Sequence, residues 1–508
     1  MSSFRHLLLV LASLTLALAL PGATTRPNIL FIVSEDNGPE LGCYGDPYAR
    51  TPNLDRFAQE GVRFTRAYVT QAGCSQSRSS ILTGLYPHQN GQLGLATWGF
   101  RMYREDTPNL PRSLKAAGYR TGLIGKLHVN PESAFPFDSW EIHSANFARK
   151  GLADYAKHAE AFIKASDQPF FLSVNYPDAH QPWLRQVDGM PARPHDGKDV
   201  KPMPYMGVDA PDLRKEVADY YNCMNRLDTL VGDLLAVLQR SGKADNTLVV
   251  YLGDHGADML RGKRTSYEGG VLIPLLVRWP GQAKAGQVRA DLVSTVDLMP
   301  TVLAVAGAAP PTGLAGQSFV PLLRGEKTDW RRYLFTEFHT HGGRNNYYPQ
   351  RTVCNDRYKL IENLLPGEVN PGYEFTNNGH LEANVVAAIA AAPPNVRAAY
   401  ELMRQPPRWE LYDLQAGPYE FRDLATDPEH ANTLAELQRE LARWRAETAD
   451  PLLKPENLAR LTKEFSGASK QEARALSWGY PYYFFGQEPP AKNAPEVESQ
   501  GRKKRKNK

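Results

Sequence analysis

Two apolar runs of the chain end in polar, mostly acidic residues. The first runs to Val33 and is followed by Glu35 and Asp36, and the second precedes Asp254 and His255. Continuous runs of β-branched and aromatic residues are typical of strands covered on both faces of a parallel sheet. Ligands of such sheets bind beyond the carboxyl ends of the strands, so we expect the two polar pairs to meet at one edge.

The first two thirds of the chain alternate strand and helix patterns. Further strands are predicted within 118–128, at 170–176 and at 274–279, and helices at 52–60, 108–117, 209–241 and 297–305. This order predicts an α/β fold with a mainly parallel sheet between helices. No internal repeat is visible.

The pattern of predicted elements changes after the segment 310–313, which contains two prolines and a glycine. Short strands are predicted at 334–338, 351–361 and 409–414, and an amphipathic helix at 428–446. This pattern predicts a smaller α+β domain, in which one helix covers a short antiparallel sheet. We therefore expect a large domain at 24–330, a smaller one at 331–465 and an extension at 466–508.

Composition fits a large globular chain. With 508 residues, 42% of them hydrophobic, it can bury a sizeable core, which excludes disordered and fibrous classes. Basic residues before an apolar run at 7–20 predict a signal peptide at 1–23, because the run is too short to span a membrane. We expect export to the periplasm or the medium, and no membrane span.

The net charge of +4 comes from the basic end of the chain, 502–508, while the rest is close to neutral. A solvated tail is the usual role of such a run, and a contact with polyanionic glycans is the alternative. Nucleic acid is not an expected partner. The four cysteines, Cys43, Cys74, Cys223 and Cys354, lack metal-site spacing. If Cys74 is modified, the other three form at most one disulfide, so disulfides are not expected to hold the fold.

The acidic residues predict a metal site. Glu35, Asp36 and Asp254 would repel one another at one sheet edge unless a hard divalent cation bound them. Oxygen-rich sites of this kind suit Ca²⁺ or Mg²⁺, and we favour Ca²⁺. The alternative is that each acid is an ordinary turn former or helix cap.

Cys74 and Arg78 lie one turn apart in a run of small polar residues that follows Gly73. A helix N-terminus and a guanidinium both favour an anion there, although an isolated Cys more often simply packs in a core.

Further cationic side chains follow the predicted strands. Lys126 and His128 close the segment 118–128, Lys263 lies in a glycine-bounded loop, and His180 comes soon after the strand at 170–176. Each alone is a weak signal, since surface Lys residues are usually solvated and a lone His is usually structural. Together with a divalent ion they would form a positively charged pocket suited to a sulfate monoester or another tetrahedral anion.

On these motifs the chain resembles the type I sulfatases of the alkaline phosphatase superfamily, from about residue 27 to about residue 450. The run at 74–84 matches the family's formylglycine signature, and 118–128 matches its second signature. The resemblance implies an alkaline-phosphatase-like large domain and oxidation of Cys74 to formylglycine by a maturation enzyme. It also implies calcium held by Glu35, Asp36, Asp254 and His255.

The resemblance assigns roles to the remaining polar residues. It implies that Arg78 and Lys126 stabilise a hydrated formylglycine nucleophile and that Lys263 holds the sulfuryl oxygens. His180 is then expected to protonate the leaving atom, and His128 to take a proton as sulfate is expelled. Two departures from the family pattern are Gln76, where a proline is usual, and Glu35, where an aspartate is usual.

Within the family the chain is most similar to the heparan N-sulfatase branch. The likeness rests on the segments 82–85, 88–91, 408–413, 423–428 and 441–451. It implies N-sulfoglucosamine at the end of heparin or heparan sulfate as substrate. An O-sulfated polysaccharide such as an algal ulvan, a phosphate or phosphonate monoester, and a catalytically silent glycan-binding relative remain open.

Substrate contacts are the least constrained part of the sequence. His341 and Arg351 belong to a stretch rich in Gly and Asn that can fold over the pocket mouth, and His88 follows the Cys74 run. We expect these three residues to contact the sugar. The alternative is an ordinary polar loop of the same composition.

Overall fold

The structure is a computed structural model that describes residues 26–342, 346–377, 380–466 and 478–487. The expected signal peptide at 1–23 and the basic end at 502–508 lie outside these ranges. Among the described residues, no helix has both the length and the apolar character needed to cross a membrane.

The strands are β1 (Asn28–Ser34), β2 (Val62–Tyr68), β3 (Arg120–Gly125), β4 (Ser139–Glu141), β5 (Phe170–Tyr176), β6 (Thr247–Gly253), β7 (Leu272–Arg278), β8 (Gln287–Arg289), β9 (Val293–Ser294), β10 (Leu334–Phe338), β11 (Gln350–Cys354), β12 (Tyr358–Asn363) and β13 (Trp409–Asp413). The helices are α1 (Pro52–Glu60), α2 (Cys74–Thr83), α3 (Pro87–Asn90), α4 (Leu110–Ala116), α5 (Asp154–Lys164), α6 (Pro211–Arg240), α7 (Glu268–Val271), α8 (Leu298–Ala306), α9 (Val320–Leu323), α10 (Pro371–Asn377), α11 (Val385–Ala390), α12 (Pro394–Arg404), α13 (Ala431–Glu447) and α14 (Pro455–Ser466), with a last short helix at Tyr480–Tyr483.

A nine-stranded sheet forms the large domain, in the order β4-β3-β5-β1-β6-β7-β2-β8 with β9 beside β2. Its pairs are parallel except those of β7, which is antiparallel to β6 and β2. The central strand β1 is buried along its whole length and lies between β5 and β6. This confirms the predicted α/β fold. Because Ser34 pairs with Gly253, the residues that follow β1 and β6 emerge side by side.

The smaller sheet has the order β10-β11-β12-β13 and is antiparallel throughout. This confirms the predicted short antiparallel sheet. Helix α13 covers it, with the Trp444 ring stacked on Phe335 at 5.0 Å between centroids. The prediction of a single strand over 351–361 was wrong, because Asn355 forms a turn there: its Oδ1 accepts from the backbone N–H groups of Arg357 and Tyr358.

Two regions were not predicted. Helices α10 to α12 form an insertion between β12 and β13. Helix α14 and the segment 478–487 follow α13, and the Trp478 ring stacks on Phe100 of the large domain at 4.6 Å. Part of the expected extension therefore packs back on the fold, while the domain limits at 330 and 465 stay predictions.

Candidate active site

The polar pairs after β1 and β6 meet as the strand register requires. The backbone N–H of Asp36 donates to Asp254 Oδ1 at 2.9 Å. His255 Nε2 lies 3.3 Å from Asp36 Oδ1 and 3.7 Å from Asp254 Oδ1. Glu35 and these three residues are fully buried.

Cys74 is the first residue of α2, and its side chain points into the acidic cluster. Its Sγ lies 3.4 Å from His255 Nε2. Sγ and one ligand atom each of Glu35, Asp36 and His180 all lie within 4.8 Å of one another. The residue is present here as the unmodified cysteine, and the oxidised side chain would occupy the same position at the start of α2.

Each buried carboxylate of the cluster has a cationic partner. Lys126 Nζ donates to Glu35 Oε2 at 2.6 Å and Lys263 Nζ to Asp36 Oδ2 at 2.9 Å. Arg78 Nε donates to Asp254 Oδ2 at 3.1 Å. The described charges are therefore nearly balanced, and a bound divalent cation would make the site positive toward an anionic substrate.

The pKa values of the cluster follow from burial and charge. Burial alone would raise the pKa of the Cys74 thiol, but Lys126, Lys263 and His255 outweigh it and hold that pKa well below its ordinary value. The pKa of His255 is raised to about 9, because the nearby carboxylates of Asp254 and Asp36 outweigh its burial. Low-pKa thiols in electropositive surroundings are the reactive ones, so Cys74 is not an inert core cysteine.

The donor set fits a hard divalent cation. Three carboxylates supply oxygen ligands, which Ca²⁺ prefers, and His255 adds a ring nitrogen that suits such an ion less well. Glu35 Oε1 is buried and has no hydrogen-bond partner among the described residues, and Arg78 Nη2 lies 3.7 Å from it. A buried carboxylate oxygen without a hydrogen bond is a group that a metal ion would satisfy.

A cavity of about 470 Å³ opens above Cys74. Lys126, His128, His180 and Lys263 line it, so the structure brings together five of the six residues predicted to be catalytic. Arg78 lies behind the cavity wall. Its Nη1 donates to the carbonyl of Lys126 at 3.0 Å. Arg78 is buried, so its guanidinium contacts other protein groups rather than the open space of the cavity.

The two predicted catalytic histidines differ in environment. The His180 ring stacks on Phe147 at 4.0 Å between centroids. Burial opposes its protonation, but Asp36 raises the pKa of His180 above its ordinary value. Burial and the charge of Lys126 instead lower the pKa of His128 to about 4. Environments that separate the pKa values of two groups are typical of acid and base partners.

Of the predicted substrate contacts, only His341 lines the cavity. His88 is buried, and its ring and backbone N–H both contact Glu337. Arg351 is also fully buried, and it forms a two-point pair with Asp450 at 2.8 and 2.9 Å. The expected sugar contacts of His88 and Arg351 are therefore corrected: neither residue lines the cavity, and both are held in a buried cluster around Glu337 and Asp450.

Sequence reasoning missed part of the cavity wall. Asp258 accepts from His380 Nε2 at 2.8 Å, forms a close ion pair with Arg264 and lies 3.6 Å from Lys263. Arg264 belongs to the glycine-bounded loop of Lys263, so its position could have been predicted from the sequence, and Asp258 lies just before that loop. His380 belongs to the insertion that was not predicted, so nothing in the sequence placed it here.

The sulfatase family model matches residues 27–308, and the model of the N-sulphoglucosamine sulphohydrolase C-terminal region matches 253–392. The human N-sulphoglucosamine sulphohydrolase is 32% identical, with 86% of this chain and 93% of that protein covered. An ulvan-active sulfatase of Formosa agariphila is 30% identical, with 84% and 81% covered. A solved structure in complex with its substrate D-glucosamine-2-N,6-O-disulfate has a TM-score of 0.61 and 22% identity, over 84% of this chain and 99% of that one.

The fold has the alkaline-phosphatase-like architecture. The chain belongs to the sulfatase family and is a hydrolase of sulfuric esters or sulfamates.

Proposed function

We propose that this sulfatase removes sulfate from a sulfated glycan, with N-sulfoglucosamine at the end of heparin or heparan sulfate oligosaccharides as its substrate. The observation that carries the proposal is the position of Cys74 at the floor of the cavity. Its Sγ lies within 4.8 Å of ligand atoms of Glu35, Asp36 and His180. A nucleophile there faces both a metal-type donor set and an open space for the sugar.

Two groups complete the site under this proposal. Formylglycine derived from Cys74 supplies a hydrated aldehyde as nucleophile, and calcium supplies positive charge toward the sulfate oxygens. The metal would be held by Glu35, Asp36, Asp254 and His255. A formylglycine-generating or equivalent enzyme of the host is the implied maturation partner.

The cations of the chain bind the sulfate and fix its orientation. Lys126 and Lys263 line the cavity, and their ammonium groups pair with Glu35 and Asp36. Lys263 also contacts Asp36, so binding of a cation by that carboxylate would leave its ammonium group available to a sulfuryl oxygen. Buried cations aimed at developing negative charge stabilise the transition state without reorganisation.

The two histidines move the protons. His180, with its raised pKa, is the donor to the leaving oxygen or nitrogen of the sugar. His128, whose pKa is about 4, is neutral at neutral pH and accepts a proton as sulfate is released. Because the pKa of His180 is raised and that of His128 is lowered, the first suits a proton donor and the second a proton acceptor at the same pH.

The relatives support the substrate class. The human relative is named for N-sulphoglucosamine and the Formosa relative for ulvan, so an O-sulfated polysaccharide is the second candidate. The polar wall of Asp258, Arg264 and His341 can donate to and accept from sugar hydroxyls. A glycan substrate outside the cell also agrees with the proposed signal peptide and export.

The test is a panel of defined sulfated oligosaccharides with free sulfate as readout, run beside 4-nitrophenyl sulfate and 4-nitrophenyl phosphate. The proposal expects release from N-sulfoglucosamine ends. Release only from O-sulfated sugars selects the second candidate, and dominant turnover of the phosphate ester indicates a phosphate or phosphonate monoester hydrolase. Glycan binding without turnover, with an intact thiol at Cys74 in protein from a host that matures sulfatases, indicates a silent glycan-binding relative.

A further inference from the structure

Gln76 occupies the signature position at which a proline is usual in the family, and its side chain contacts two loops that lead into the cavity wall. Its Nε2 donates to the carbonyl of Thr340 at 2.6 Å and to the carbonyl of Leu93 at 3.3 Å. Gln76, Thr340 and Leu93 are all fully buried. One amide group therefore joins α2 to two loops that are far apart in the sequence.

Both loops continue directly into cavity-lining residues. Leu95 and Trp98 line one wall and His341 and Gly342 line the other. The walls also contact each other, because the N–H of Leu95 donates to the carbonyl of His341 at 2.9 Å. A side chain on Gly342 would lie 3.0 Å from the Trp98 ring, so the walls are packed closely where they meet.

Neighbouring residues of α2 and of the loop between β2 and α2 support the same junction. Gln71 Nε2 donates to the carbonyl of Thr340 at 3.0 Å, and Ser75 Oγ accepts from the N–H of Ala96 at 2.9 Å. A proline at position 76 would fit the first helical turn, where the N–H has no partner within the helix, but it has no side-chain donor. The junction thus depends on a residue that the usual proline cannot replace.

We propose that Gln76 is a positioning residue that sets the distance between the two substrate-facing walls, and so contributes to glycan specificity without touching the reacting atoms. The inference rests on the proposed glycan substrate. His341 is the side chain most directly placed by this junction, because its preceding carbonyl is the one that Gln76 and Gln71 hold. Its own carbonyl is held by Leu95.

The test compares Gln76→Met, which keeps the length of the side chain and removes the donor, with Gln76→Pro, which restores the family pattern. Ser77→Ala is the matched control, because Ser77 is equally buried on α2 and its hydroxyl has no hydrogen-bond partner among the described residues. Formylglycine content is measured by peptide mass spectrometry for every variant, and turnover is expressed per mole of formylglycine.

Both Gln76 variants are expected to raise KM for the best glycan substrate about tenfold, since a lost buried hydrogen bond is worth about that factor. Turnover of the small substrate 4-nitrophenyl sulfate is expected to stay within about twofold, because it does not reach the walls. An equal loss on both substrates, or an unchanged glycan KM, would overturn the inference.

Hydrogen exchange tests the role of Gln76 without depending on the proposed function. If the wild-type enzyme released sulfate from no glycan, the proposed function would fail while the junction could still be measured. The amides of Leu95 and Ala96 are expected to exchange faster in Gln76→Met than in the wild type and in Ser77→Ala. Unchanged exchange at both amides would contradict the positioning role.

Discussion

Cys74 Sγ lies 3.4 Å from His255 Nε2, although 181 residues separate them in the chain. The contact exists because α2 begins beside the carboxyl ends of β1 and β6, where the acidic residues also emerge. It places a thiol of lowered pKa against a metal-type donor set, and the predictions below test what that arrangement does.

Lys263 is expected to act on the sulfate. Replacement by Ala removes the cation that faces Asp36 and the cavity, and kcat/KM per formylglycine should fall about 100-fold to 1,000-fold. Steady-state kinetics on 4-nitrophenyl sulfate measures this. The control is Lys284→Ala, an exposed lysine whose loss should change little. A Lys263→Ala enzyme within about twofold of wild type would refute the role.

Metal removal is expected to lower both activity and stability. A divalent cation held by the three buried carboxylates in the folded state alone would, at 100 times its Kd, stabilise that state by about 2.7 kcal/mol. Exhaustive chelation should therefore lower Tm and abolish sulfate release, and added Ca²⁺ should restore both. Asp254→Asn should reduce the Ca²⁺-dependent shift in Tm. A chelated protein with unchanged activity would rule out the calcium site.

Glu337 is expected to make the domain contact sensitive to acid. Burial alone would raise its pKa, but His88 and Arg351 lower the pKa of Glu337 from 4.5 to about 2. Its stabilising contribution is therefore complete above pH 4.5 and is lost as pH falls toward 2. Glu337→Gln should cost about 3 kcal/mol at neutral pH, because it leaves buried cationic partners uncompensated.

Urea denaturation at several pH values measures this effect. The wild type should lose stability between pH 4.5 and 2 more steeply than Glu337→Gln does. The control is Glu447→Gln, which removes an exposed partner of Arg443 and should cost at most about 1 kcal/mol. Identical pH slopes for wild type and Glu337→Gln would show that this carboxylate does not carry the effect.

Trp478 is expected to hold the end of the described chain against the large domain. Its ring stacks on Phe100 and its Nε1–H donates to the carbonyl of Trp98 at 2.9 Å. Trp478→Ala should lower the free energy of unfolding by about 3 kcal/mol, as for other large buried aromatic residues. Phe485→Ala on the same segment, with its side chain 59% exposed, is the control and should cost much less. Equal effects of the two would contradict this packing.

The sequence determined the centre of the site well. Continuous apolar runs predicted β1, β5 and β6, and parallel register then required the residues after them to meet at one edge. Lys126 and Lys263 could be predicted for the same reason, because each follows a strand of that sheet. Continuous apolar runs predict these strands well because the central strands of the sheet are buried on both faces.

The cavity wall could not be predicted in the same way. His88 and Arg351 look like free polar groups in the sequence, and only the folded structure reveals Glu337 and Asp450 as their partners. The turn at Asn355 was missed because apolar residues continue on both sides of it. Long-range pairing of this kind leaves no local pattern.

The most direct measurement compares wild type with Cys74→Ala, both produced in a host that matures sulfatases. Free sulfate is quantified from oligosaccharides ending in N-sulfoglucosamine, and the mass of the peptide around residue 74 is determined on the same samples. The account predicts an aldehyde at position 74 and sulfate release by the wild type, and none by the variant. Equal release by Cys74→Ala, or an unmodified thiol in fully active wild-type enzyme, would contradict it.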